Sequence, residues 1–77
     1  MKIRALLKTP LYRHRGGPDQ VPYLAGNVSE LRGTADARDG GLDLQVAEMF
    51  DGKGEPVAGS LKRIFLPLAK VDYYIIE

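Results

Sequence analysis

Two arginines, a tyrosine and a histidine crowd into four consecutive positions, Tyr12, Arg13, His14 and Arg15, with Lys8 shortly before them and Gly16-Gly17 directly after. Guanidinium forks match phosphate geometry, a tyrosine ring stacks on a base, and glycine leaves the backbone free to follow a strand. The grouping therefore has the chemistry of a contact to single-stranded RNA or a similar polyanion. The charge distribution points the same way. Residues 1 to 18 contain Lys2, Arg4, Lys8, Arg13 and Arg15 and no acid, whereas the rest of the chain carries six basic and ten acidic residues, so the net +1 conceals a cationic arm. Such an arm serves either to meet an anionic partner or to fold back on the acidic remainder of its own or a neighbouring chain.

Little else in the chain is reactive. Catalysis needs a nucleophile with a base, or an acid and base pair, held together in a pocket. The single histidine, His14, has no serine or cysteine near it in sequence, and the chain has no cysteine at all. Asp36, Asp39 and Asp43 surround a glycine turn, where acidic residues commonly serve turn geometry and solvation. The segment Asp51-Gly52-Lys53-Gly54-Glu55 echoes a calcium loop but lacks its leading carboxylates and its distant bidentate glutamate. The expectation is no catalytic residue, no metal, no cofactor, no small-molecule substrate, and therefore no enzyme.

The elements that must position the arm are short strands. Seventy-seven residues make one domain with a thin core, and a domain of this size buries only about 60% of the surface its unfolded chain exposes. Disulfides or zinc, the usual supplements, need ligands this chain does not have, which leaves association between copies. No apolar run is long enough for a membrane span or a signal-peptide core, which places the chain in the cytoplasm with no membrane partner.

Residues 2 to 8 alternate as a first strand with Ile3, Ala5 and Leu7 on one face, and Thr9-Pro10 ends it because proline cannot donate to a ladder. A long basic loop is expected over about residues 9 to 22. Val28 to Arg38 alternates again, with small residues inward (Leu31, Gly33, Ala35, Ala37), which lets a strand bend sharply. Asp39-Gly40-Gly41 makes a tight hairpin. Leu42, Leu44 and Val46 begin a third strand that runs to Phe50, and residues 51 to 56 form the next loop. Leu61 to Leu66 is a fourth strand with Ile64 and Leu66 inward. Pro67 to Lys70 forms one helical turn, and Val71 to Ile76 is a fifth strand. No segment sustains a helical period. The fold expected is a small, strongly bent, five-stranded antiparallel barrel occupying residues 1 to 77 as one domain, all-β and without a long helix.

The last two strands are apolar on both faces. Phe65 points opposite Ile64 and Leu66, and Tyr74 and Ile76 opposite Val71, Tyr73 and Ile75. One face of an antiparallel strand in so small a monomer should be polar, and an apolar unpaired edge invites aggregation. Phe65, Tyr74 and Ile76 are therefore the expected interface of a homo-oligomer, unless residues 9 to 27 fold over to cover them.

This order of elements resembles the Sm-like (LSm) family of RNA-associated barrels over about residues 28 to 77. The similarity lies in the bent strand with Gly33, the run Asp39-Gly40-Gly41-Leu42-Asp43-Leu44, and the closing segment Ile64-Phe65-Leu66-Pro67-Leu68-Ala69-Lys70-Val71-Asp72-Tyr73-Tyr74-Ile75-Ile76. The resemblance implies an SH3-like barrel and ring assembly. Asp43 stands where that family has asparagine, and Pro67-Leu68 where it has Arg-Gly, the residues that line its uracil pocket. Any RNA contact thus falls to Lys8, Tyr12, Arg13, His14 and Arg15. A looser resemblance, to PRC-barrel modules, rests on the run from Ile64 to Val71. It implies the alternative function, a protein-interaction or structural barrel of PRC-barrel or SH3-like type without nucleic-acid binding.

Overall fold

The computed structural model describes residues 1–17 and 22–77; the part of the expected basic loop at 18–21 lies outside the described residues. In chain order the strands are β1 (Lys2–Leu11), β2 (His14–Arg15), β3 (Tyr23–Leu24), β4 (Val28–Arg38), β5 (Gly41–Phe50), β6 (Arg63–Pro67) and β7 (Val71–Ile76), with a 3-10 turn at Leu68–Lys70 before β7. Five of them form one sheet in the order β6-β5-β4-β1-β7, while β2 and β3 pair as a separate small hairpin. Every pairing in the main sheet is antiparallel. This is the expected all-β, five-stranded architecture without a long helix. The sheet is bent but not closed, because among the described residues β6 pairs only with β5 and β7 only with β1.

Alternation within the strands sends one side chain in two toward the core. Ile3, Ala5, Leu31, Ala35, Leu42, Leu44, Leu66 and Val71 are buried on the inner face, Leu24, Val28, Met49 and Leu61 complete the cluster, and no described polar side chain is buried with them. Ala37, expected to point inward, is exposed. Beyond Lys2 opposite Thr34, two hydrogen bonds between Met1 and Ala35 end the contact of β1 with β4, so among the described residues no strand pairs with the hairpin end of β4 on that side.

The bend has a specific origin. Arg32 pairs with Glu48 and Gly33 with Val46, so β5 carries Ala47 as an extra residue. Such a bulge kinks its strand and raises the local twist. It also shifts the alternation of β5: Leu42 and Leu44 turn inward before it, Met49 after it. A side chain at Gly33 would fall on the Gln45 carbonyl oxygen. Glycine is required there by close backbone approach, beyond the flexibility that the sequence alone suggests. At the β4–β5 hairpin, Gly40 takes a φ of +80° between the paired residues Arg38 and Gly41.

Two expected features are corrected by register slips. Strand β1 does not end at Thr9-Pro10 but runs to Leu11. Pro10 falls between the pairs Leu6–Glu30 and Leu11–Val28, where the ladder slips and its missing N–H leaves no bond unmade. In β7, Leu6 pairs with Tyr73 and Leu7 with Val71, so Asp72 is extra. Cross-strand partners share a face. Ile76 and Tyr74, opposite Ile3 and Ala5, therefore lie on the side of Val71, and Tyr73 and Ile75 on the other.

Candidate functional site

The arm expected to be a loop is built as an anchored hairpin. His14 pairs with Leu24 and Arg15 with Tyr23. Leu24 inserts into the core, and the Tyr23 N–H donates to Ser60 Oγ at 2.7 Å while the Ser60 N–H donates back to the Tyr23 carbonyl at 2.8 Å. The Ala25 N–H adds a bond to the Ala58 carbonyl at 2.8 Å. Strand β3 is thus fastened to the segment before β6, and β2 is carried on its outer side. The Arg13 N–H donates to Asn27 Oδ1 at 2.8 Å, and the Gly16 N–H donates to His14 Nδ1 at 3.0 Å. That second bond orients the imidazole, with Nδ1 as its acceptor.

Lys8, Tyr12, Arg13, His14 and Arg15 are all exposed, Tyr12 by 69%. Arg4, Arg32, Arg38 and Arg63 each make an ion pair on the sheet, whereas Lys8, Arg13 and Arg15 make none with any described residue. Among the described residues, then, the arm's outer cations do not fold back on the acidic sheet. Nor does the arm cover the apolar edges: Phe65, Tyr73, Tyr74, Ile75 and Ile76 remain exposed.

The hairpin instead bounds an open apolar groove of about 330 Å³ whose walls include Leu11, Leu24, Leu61 and Ile64, with Tyr12, His14 and Lys70 along it. Lys70 was not singled out from the sequence, where it reads as the end of a connecting turn. The fold brings it to the end of β1, where its ammonium donates to Thr9 Oγ1 at 2.7 Å across 61 residues of chain.

Phe65, Tyr74 and Ile76 do not form one patch on a single molecule. Phe65, opposite Asp43, is on the outer face of β6, while Tyr74 and Ile76 are on the core side of β7 at the other end of the strand order. They share a different property. The bonds Leu68 N–H to Gly40 carbonyl and Val46 N–H to Lys62 carbonyl set the alternation of β6, and Glu77 N–H to Lys2 carbonyl sets that of β7. Residues 62, 64, 66 and 68 therefore turn their backbone toward β5, and residues 73, 75 and 77 toward β1. Phe65, Tyr74 and Ile76 direct theirs to the free edges.

Two of the three aspartates around the hairpin turn, Asp36 and Asp43, lie against arginine. Arg63 grips Asp43 through two bonds, Nε to Oδ1 at 2.9 Å and Nη2 to Oδ2 at 2.5 Å, and Arg38 lies 3.9 Å from Asp36 and 4.0 Å from Asp43. Among the described residues no three His, Cys, Asp or Glu side chains gather as a metal site. In the 51–55 loop, Asp51 Oδ1 accepts from the Lys53 and Glu55 amides, so that carboxylate serves the turn.

The hydrogen bonds and charge of Arg63 hold the Asp43 carboxyl below the ordinary aspartate range, and Arg38 adds to the effect. A folded-state value lower than the unfolded one lends stability above the unfolded pKa, which is lost as pH falls through the folded value. Asp43→Asn should therefore be less stable than the parent at pH 6, with the gap in urea midpoint closing below the usual aspartate pKa of about 3.9. A gap of equal size at pH 2 would show that the pair does not act through the charge of Asp43.

No helix of the described chain is long and apolar enough to cross a membrane. No protein-family model, curated protein or solved structure matches this chain.

Proposed function

We propose that this chain is a self-associating barrel module of Sm-like type, acting in the cytoplasm, that binds single-stranded RNA or a similar polyanion through its basic arm. The carrying observation is the contrast among its arginines: those on the sheet are ion-paired, while Arg13 and Arg15 stand exposed on a braced hairpin without an ionic partner among the described residues. Bracing lowers the ordering cost of binding, because the backbone that carries the cations is already held. Assembly multiplies the effect, since one arm per chain in a ring gathers a modest charge into a dense positive rim.

The salt dependence of binding to a ten-nucleotide oligouridylate tests the reading. Each phosphate contact to a single strand contributes a slope of about −0.7 in log K against log salt. Arg13→Ala with Arg15→Ala is expected to flatten the slope by about 1.4 per bound chain and to leave the circular dichroism spectrum unchanged. Absent or salt-insensitive binding would overturn it.

The second reading is a protein-interaction or structural module without nucleic-acid binding. Its support is the exposure of Phe65, Tyr74 and Ile76 along two unpaired strand edges, a surface suited to strand addition by a partner. Under that reading the double arginine variant keeps full partner recognition, and substitutions at the edges abolish it.

A further inference from the structure

We infer that the apolar groove beneath the basic hairpin is a base-accepting subsite for single-stranded nucleic acid, in which a nucleobase enters against Leu61 and Ile64, the rings of Tyr12 and His14 flank it, and Lys70 takes an adjoining phosphate. The inference rests on the polyanion reading and deepens it, since that reading requires only exposed charge and says nothing about bases. Charge complementarity selects the occupant. The walls are apolar, yet the Lys70 ammonium and the His14 imidazole border them. Arg13 and Arg15 do not line the groove, since Arg15 pairs with exposed Tyr23 where His14 pairs with buried Leu24, and they meet only a ligand that runs on past it. A ligand that fills such a place must join a flat apolar body to closely spaced negative charge at every repeat. A nucleotide chain does so, its bases offering π faces to aromatic rings and its phosphates meeting cations without sequence preference.

The groove is also preformed to a useful degree. Its floor belongs to the core through Leu24 and Leu61. Its His14 ring is oriented by the Gly16 amide. Its Lys70 ammonium is set by Thr9 Oγ1, a neutral partner, and no carboxylate among the described residues pairs with it. Tyr12, at 69% exposure, keeps most of its ring open to a stacking partner.

The test compares three probes on the full chain: a ten-nucleotide oligouridylate, an abasic strand of the same length and charge, and a deca-glutamate peptide. The chain is expected to bind the oligouridylate at least about tenfold more tightly than the abasic strand, and Tyr12→Ala to remove that preference while leaving abasic binding unchanged. Because Tyr12 is exposed, the substitution does not threaten the fold. Lys70→Ala provides a second variant, expected to weaken oligouridylate binding about threefold or more without reducing it to the abasic level. Equal affinity for oligouridylate and abasic strands would overturn the subsite and leave the polyanion reading standing. Deca-glutamate bound as tightly as oligouridylate, and displaced by it, would assign the groove to an acidic peptide and overturn the subsite. Failure of all three probes to bind would bring down the polyanion reading itself, and the subsite with it.

Discussion

Gly33→Ala is expected to leave the chain largely unfolded at 25 °C, the largest effect of any single methyl group added to it. The new Cβ would fall on the Gln45 carbonyl oxygen, with the Gln45 carbonyl carbon at 3.0 Å and the Ala47 amide nitrogen at 3.2 Å. All three are backbone atoms of the bulged strand, so no rotamer change can make room, and relief means opening the β4–β5 pairing where the sheet bends. Overpacking that a side chain can absorb costs about 1–3 kcal/mol, occasionally more, and this site has no side chain to absorb it. A core this small rarely supplies more than about 3–5 kcal/mol of net stability. Urea unfolding followed by far-ultraviolet circular dichroism reads the loss. Gly17→Ala is the control, since a Cβ there meets nothing among the described residues and its unfolding free energy should stay within about 0.5 kcal/mol of the parent. A Gly33→Ala protein with the parent's midpoint would show that the bend does not depend on this close approach.

The second large effect concerns assembly. Strands β6 and β7 each have one edge unpaired among the described residues. A β6-to-β7 contact between copies is head-to-tail and closes into a ring or continues as a filament, whereas pairing of either edge with its own copy is two-fold and stops at a dimer. Self-association through these edges predicts a native mass that is a multiple of 8.5 kDa. Phe65→Lys combined with Ile76→Lys should return the 8.5 kDa species with an unchanged circular dichroism spectrum. Both side chains are well exposed in the single chain, 49% and 64%, so the substitutions spare the fold. A charge left uncompensated in a buried contact costs about 3 kcal/mol or more, and the interface should weaken by at least about a hundredfold. Light scattering of the parent and the variant across a concentration series decides it. A strictly monomeric parent at high concentration would remove the ring and leave the two edges as a surface for another protein.

The candidate site was partly legible before the fold was known. Tyr12, Arg13, His14 and Arg15 stand out by type and spacing alone, and the structure leaves all four exposed. Their scaffold was not legible: two-residue strands such as β2 and β3 have no period to detect, and the bonds that hold them run to Ser60 and Ala58, far along the chain. Lys70 escaped notice for a related reason, because nothing local marks a lysine at the end of a turn until Thr9 is placed beside it.

By itself the sequence determined the presence of the five strands of the main sheet, the extent of β4 and β7, the glycine turn at Asp39-Gly40 and the cationic bias of the arm, since each depends on local alternation, backbone freedom or charge. Only the tertiary structure decided which residues share a face beyond a bulge. The extra residues Ala47 and Asp72 change the phase of β5 and β7, and a one-residue slip exchanges the two faces of a strand from that point on. For that reason Tyr74 and Ile76 join the side of Val71. Phe65 lies apart from them because the strand order puts β6 and β7 at opposite ends of the sheet, so the surface read as one apolar face is two separate edges.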